Sequence, residues 1–175
     1  MNKRKHQQGV MLIEALIAIL IFSLGILGMV AMGSVAIAAQ SDAQYRTEAA
    51  NYANEIVAQM AIQLQQAAYD SATNTFAPDA TLATFAHQPA AGGYCSFAGA
   101  ASANPAVTDW VNRISGAVDP KLALPGATAV SQQIAINQAP GAGNWVMVTI
   151  CWQPPSSAAV AFSPMHRYEL VAYLN

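Results

Sequence analysis

The sequence predicts an α+β chain: one long N-terminal helix, half apolar and half amphipathic, packed on a small antiparallel sheet of three or four strands. Three observations predict it. Val10 to Ala39 holds a single charged residue, Glu14. Gln40 to Tyr69 contains neither Pro nor Gly and repeats its apolar residues three and four apart. The last third alternates at period two and is rich in Val, Ile, Trp and Tyr. The organisation that follows is an apolar helix over 10–39, an amphipathic continuation over 40–69 and a head over 70–175. At 175 residues the chain is long enough to bury a core without obligatory crosslinks.

Composition narrows the function classes. Hydrophobic residues make up 54% and charged residues 9%, which excludes intrinsic disorder. Seven Lys+Arg against nine Asp+Glu give a net charge of -2 and no cationic face, so nucleic acid is not an expected partner. Three of the seven basic side chains are Lys3, Arg4 and Lys5, directly before the apolar tract.

A helix over that tract is roughly 45 Å long, against a hydrocarbon thickness of roughly 30 Å, so the tract suits a membrane. Its basic flank belongs on the cytoplasmic side, and the head is expected across the bilayer. A secretory signal peptide fits poorly, since its apolar region is about half as long. A plain anchor explains the length but leaves Glu14 unexplained, because a carboxylate in hydrocarbon costs on the order of 2 to 3 kcal/mol.

The leader Lys3-Arg4-Lys5-His6-Gln7-Gln8, then Gly9, then Val10-Met11-Leu12-Ile13-Glu14-Ala15-Leu16 resembles the class III signal of type IV pilins and pseudopilins. The resemblance implies the type IV pilin fold, a leader peptide over 1–9, cleavage by a prepilin peptidase between Gly9 and Val10, and N-methylation of Val10. The family's glutamate corresponds to Glu14, and the family more often has Phe where this chain has Val10. Cleavage creates an α-amine that is largely protonated below about pH 8. Between parallel helices offset along a filament, Glu14 of one subunit meets the Val10 amine of the next. At about 4 Å and an effective dielectric near 20 that attraction is roughly 4 kcal/mol before desolvation. Such a pair is a poor source of stability but fixes the stagger of an otherwise apolar bundle. Gly25, Gly28 and Gly33, with Ala31 and Ser34, are suited to close helix approach, though membrane helices commonly contain Gly.

In the amphipathic half, Tyr45, Ala49, Tyr52, Ile56, Met60 and Leu64 form one face, opposite Asn51, Asn54, Gln59, Gln63 and Gln66. Asp42 and Arg46 fall four apart, a minor favourable pair. Residues 70–104 lose periodicity and read as loop. Asn104-Pro105 opens a short helix closed by Gly116, with Trp110 and Ile114 on one face, expected to dock on the sheet. Strands are expected over Gln132–Gln138, Asn144–Trp152 and Arg167–Leu174.

The Trp-containing helix, Leu124-Pro125-Gly126, Val148-Thr149-Ile150-Cys151-Trp152 and Arg167-Tyr168-Glu169-Leu170 are similar to a minor-pilin branch, the type IV pilus modification proteins. The implied partners are the prepilin peptidase, other minor and major pilins, the inner-membrane pilus assembly machinery and the membrane itself. The implied location is the bacterial inner membrane, single-pass with a periplasmic head, and then the extracellular pilus.

Cys95 and Cys151 are the only cysteines and lie beyond the apolar tract, so a disulfide is expected; a metal pair or redox thiol lacks the C-x-x-C spacing and a nearby His. His87 and His166 stand in Pro-flanked polar segments without paired carboxylates and read as exposed. No nucleophile motif, metal triad or phosphate loop is present, so no enzyme, cofactor, catalytic residue or metal site is expected. The expected function is a minor pilin that primes or modulates pilus assembly. The alternatives are a pseudopilin of a type II secretion or DNA-uptake system and, in another class, a membrane-anchored periplasmic binding domain.

Overall fold

The computed structural model describes residues 8–67, 69–70, 75–76, 78–138, 144–155 and 164–174. The chain divides into two compact units, Met1–Ser41 and Asp42–Asn175.

The 59-residue helix α1 runs over Gln8–Gln66. In the first unit every side chain from Met11 to Gln40 is exposed. In the second, the spacing read from the sequence becomes the core: Ala49, Tyr52, Ala53, Ile56 and Met60 are buried, with Tyr45 and Leu64 packed at their margin. Full burial of a side chain such as Ile56 or Met60 contributes about 1.5–3 kcal/mol. After Gln66 the helix closes with the Ala67 amide donating to the Gln63 carbonyl.

The segment expected to be loop is more ordered than its composition suggests. It holds an antiparallel pair of two-residue strands, β1 (Tyr69–Asp70) and β2 (Thr75–Phe76), then helix α2 (Pro78–Ala83), then hairpin β3 (Ala90–Gly93) and β4 (Ser96–Ala98). Two isolated anchors, Leu82 and Phe85, are completely buried and hold the polar stretch to the core. Periodicity is blind to anchors spaced this sparsely. Gly92 is required by close approach, since a Cβ there would sit 1.8 Å from the Ser96 carbonyl oxygen.

Helix α3 (Pro105–Ser115) is capped as its sequence indicates. The Asn104 side chain accepts from the Ala106 amide and Pro105 occupies the first turn. Gly116 adopts φ 77° while the Gly116 and Ala117 amides bond the Arg113 and Asn112 carbonyls, a Schellman closure that a residue with a Cβ would strain.

Strands β5 (Gln132–Asn137), β6 (Trp145–Trp152) and β7 (His166–Tyr173) form an antiparallel sheet in that order. The register Ile134↔Val148↔Leu170 puts like faces together. Ile134, Val146, Val148, Ile150 and Trp152 are buried, and they share one core with the α1 stripe and with Val107, Trp110 and Ile114 of α3. The arrangement is therefore α+β, a long N-terminal helix with a three-stranded antiparallel sheet.

Candidate functional site

The apolar half of α1 is a surface without protein cover. Leu12, Ile17, Leu20, Phe22, Leu27 and Val30 are each more than half exposed. The helix is long and apolar enough to cross a bilayer. Its hydroxyls are satisfied internally: Ser23 Oγ donates to the Ile19 carbonyl at 2.7 Å and Ser34 Oγ to the Ala31 carbonyl at 2.8 Å. A helix placed in hydrocarbon requires this, since nothing outside it could accept those protons. Among the described residues Glu14 is then the one polar side chain between Met11 and Ala39 with no partner. Gly9 and Val10 lie in the first turn of α1. A Cβ at Gly25, Gly28 or Gly33 would meet nothing within 4 Å, so these glycines answer no packing need inside the chain.

In the head, polar contacts fasten α3 to α1. The buried Trp110 indole N–H donates to the Tyr52 carbonyl at 2.9 Å, so its one polar atom is committed to the helix, while the ring lies in the core shared with the sheet. Arg113 donates to both Glu55 oxygens, at 3.1 and 2.6 Å. Its guanidinium carbon stands 5.8 Å from the Tyr52 ring centre, and the Tyr52 hydroxyl donates to the Leu122 carbonyl. The Glu55 hydrogen bond raises the Arg113 pKa, while burial, followed by Glu48, raises that of the Tyr52 phenol. Sequence reading missed this clamp. A faint signal existed: Glu55 stands beside the apolar stripe in a helix whose outward face is rich in Gln and Asn.

Cys95 and Cys151 are joined, with Cα atoms 5.7 Å apart. The bond pins the tip of the β3–β4 hairpin to β6, where Phe97 and Met165 pack around it. Cys95 is held at φ 60°, unusual for a residue with a side chain. Beside the hairpin an open groove is lined by Tyr94, Phe97, Gln133, Met147 and Arg167.

Both head histidines correct the expectation of free exposed rings. His166 places Nδ1 2.6 Å from Asp42 Oδ1 and tilts against Trp152, with ring centres 5.6 Å apart. It also takes the carboxylate that helical spacing had assigned to Arg46. His87 is buried, with both ring nitrogens bonded to backbone. Pro89 and the polar neighbours suggested exposure, but strand β5 covers the residue by pairing with its backbone. Among the described residues no group of three His, Cys, Asp or Glu could hold a metal ion.

Together the long apolar helix, the small antiparallel sheet and the disulfide are consistent with a pilin-like fold. The chain matches no protein-family model, no curated protein and no solved structure.

Proposed function

We propose that this chain is a minor type IV pilin, most similar to the pilus modification protein PilV, whose work is assembly and not turnover. It enters the inner membrane with leader 1–9 in the cytoplasm and head 70–175 in the periplasm. Prepilin peptidase cuts between Gly9 and Val10, Val10 is methylated, and the helix passes from lipid into a filament of minor and major pilins, where the protein primes or modulates growth.

The observation that carries this reading is Glu14. Every other polar side chain of the apolar tract is satisfied within the helix, and this carboxylate stands five residues beyond Gly9 behind a basic leader. A cationic N-terminus on a neighbouring subunit is the partner its position fits. A lone anchor has no use for it.

N-terminal sequencing of the protein from cells tests the reading. Val10 as the first residue supports it, and a protein that keeps Met1 or starts near Ala39 rejects it. Glu14→Ala should leave membrane insertion intact and reduce recovery in sheared filaments. Undiminished recovery rejects the pairing.

A further inference from the structure

We infer that His87 is an acid-released latch, whose neutral imidazole ties the loop capping α3 to the Ala129 turn beside its own backbone pairing with β5, and whose protonation lets these segments part. The neutral ring is used at every position. Nδ1 accepts from the Ser102 amide at 3.2 Å, so the ring proton resides on Nε2, which faces the Ala129 carbonyl at 3.3 Å. The backbone of the same residue pairs with β5, His87 N–H to the Ile134 carbonyl and Ile134 N–H to the His87 carbonyl. Ser102 extends the connection. Its hydroxyl donates to the Thr84 carbonyl at 2.6 Å and accepts from the Asn104 amide, and Asn104 caps α3.

A proton on Nδ1 sets two donors face to face and removes the Ser102 bond. Among the described residues no charged side chain bonds the ring to compensate. The chain carries no Asp, Glu, Lys or Arg between Asp79 and Asp109, nor between Lys121 and Arg167, which covers β3, β4, β5, β6 and both loops that bond the ring. In those stretches the other titratable groups are Tyr94, 69% exposed at the hairpin tip, and His166, which faces Asp42. On α1 the head charges are Asp42, Arg46, Glu48 and Glu55, and on α3 they are Asp109 and Arg113; Glu55 and Arg113 are committed to each other. Burial holds the ring's pKa below the ordinary imidazole value, with the Ala129 carbonyl acting weakly the other way. A base depressed in the folded state stabilises the closed latch above its open-state pKa of about 6.5, and that stability is lost as pH falls toward the folded value.

Two features make the opening local. Gln88, the next residue, is held at φ 46°, a strained conformation that release relieves. The Cys95–Cys151 bond keeps the hairpin on β6, and Trp110 with Arg113 keeps α3 on α1. Acid therefore frees the β5 edge and the 100–104 loop without dismantling the core.

The test is amide hydrogen exchange by NMR on the full chain in detergent micelles between pH 7.5 and 4.5, expressed as protection relative to intrinsic rates. Protection of the Ser102 and Ile134 amides should fall about tenfold per pH unit below about pH 6.5 and should stay well below that of the Ile56 amide, which opens only with the whole core. His87→Gln, which cannot titrate, should abolish the pH dependence. If that variant does not fold, ring nitrogen shifts of the wild type still decide. A neutral ring protonated on Nε2 at pH 7.5 supports the latch, and the other tautomer or a charged ring overturns it. Equal protection at Ser102 and Ile56, or no loss at Ser102, also overturns it.

Discussion

Removing the disulfide is the sharpest perturbation of the head. Cys95 and Cys151 are 56 residues apart, and closing a loop of that length lowers the entropy of the unfolded chain by about 14 cal/mol/K, or about 4 kcal/mol at room temperature. Both cysteines are buried, so Cys95→Ala/Cys151→Ala also gives up packing around Phe97 and Met165. The φ of 60° at Cys95 is equally unfavourable for Ala, so the double alanine variant recovers nothing there. Cys95→Gly/Cys151→Ala should recover roughly 1 kcal/mol of that strain. The expected loss of 4 to 5 kcal/mol is a large part of the roughly 5–15 kcal/mol that holds a typical domain. Urea unfolding of the full chain in micelles, followed by the fluorescence of buried Trp110 and Trp152, reads it directly. A double alanine variant within about 1 kcal/mol of the oxidised protein would refute the loop-closure argument.

Other perturbations bear on separate contacts. Trp110→Phe removes the indole donor to α1 and part of a fully buried ring, and should lower the urea-derived stability by about 2 kcal/mol; an unchanged midpoint would show that the α1–α3 contact carries little. Glu55→Gln weakens a pair that is about one-third exposed, so after solvent screening its effect should be about 0.5–1 kcal/mol at low salt and should shrink in 1 M salt. Gln132 is fully buried with neither end of its amide bonded among the described residues, so Gln132→Met should stabilise by about 1–3 kcal/mol, and a loss of stability on melting would show that the amide is satisfied.

Legibility in the sequence followed the range of the forces involved. The α1 stripe, the α3 caps and the three strands depend on neighbours a few residues away, and Tyr52, Ile56, Met60, Asn104, Gly116 and the β7 alternation stand where local rules put them. The contacts that escaped are long-range and polar. Glu55 meets Arg113 across 58 positions, Trp110 reaches the Tyr52 carbonyl across the same distance, and His87 is buried by a strand 47 residues away. Nothing in the local pattern of a histidine before Gln88-Pro89 reveals that β5 will pair with it. Asp42 is a further instance, since Arg46 was near in sequence while His166 was near in space. Of the candidate site, Gly9, Val10 and Glu14 are read entirely from sequence, because the chemistry proposed for them involves other molecules and not contacts within this chain.

Glu14 separates two requirements that the apolar tract otherwise blends. Covering Leu12, Ile17, Phe22 and Leu27 needs only an apolar surround, and a bilayer or a bundle of like helices supplies it equally well. Those contacts slide, because one greasy turn resembles the next. A single carboxylate adds a requirement that only a cation at one height can meet, and the strength of that demand rises as water is removed. Glu14→Gln tests the division, since it keeps size and hydrogen bonding while deleting the charge. On the pilin reading, membrane insertion should be unchanged or slightly improved, because the neutral amide is easier to place in lipid, while recovery in filaments should fall. If both respond alike, the carboxylate acts in insertion and not in register, and the pairing with a neighbour's amine has to be abandoned.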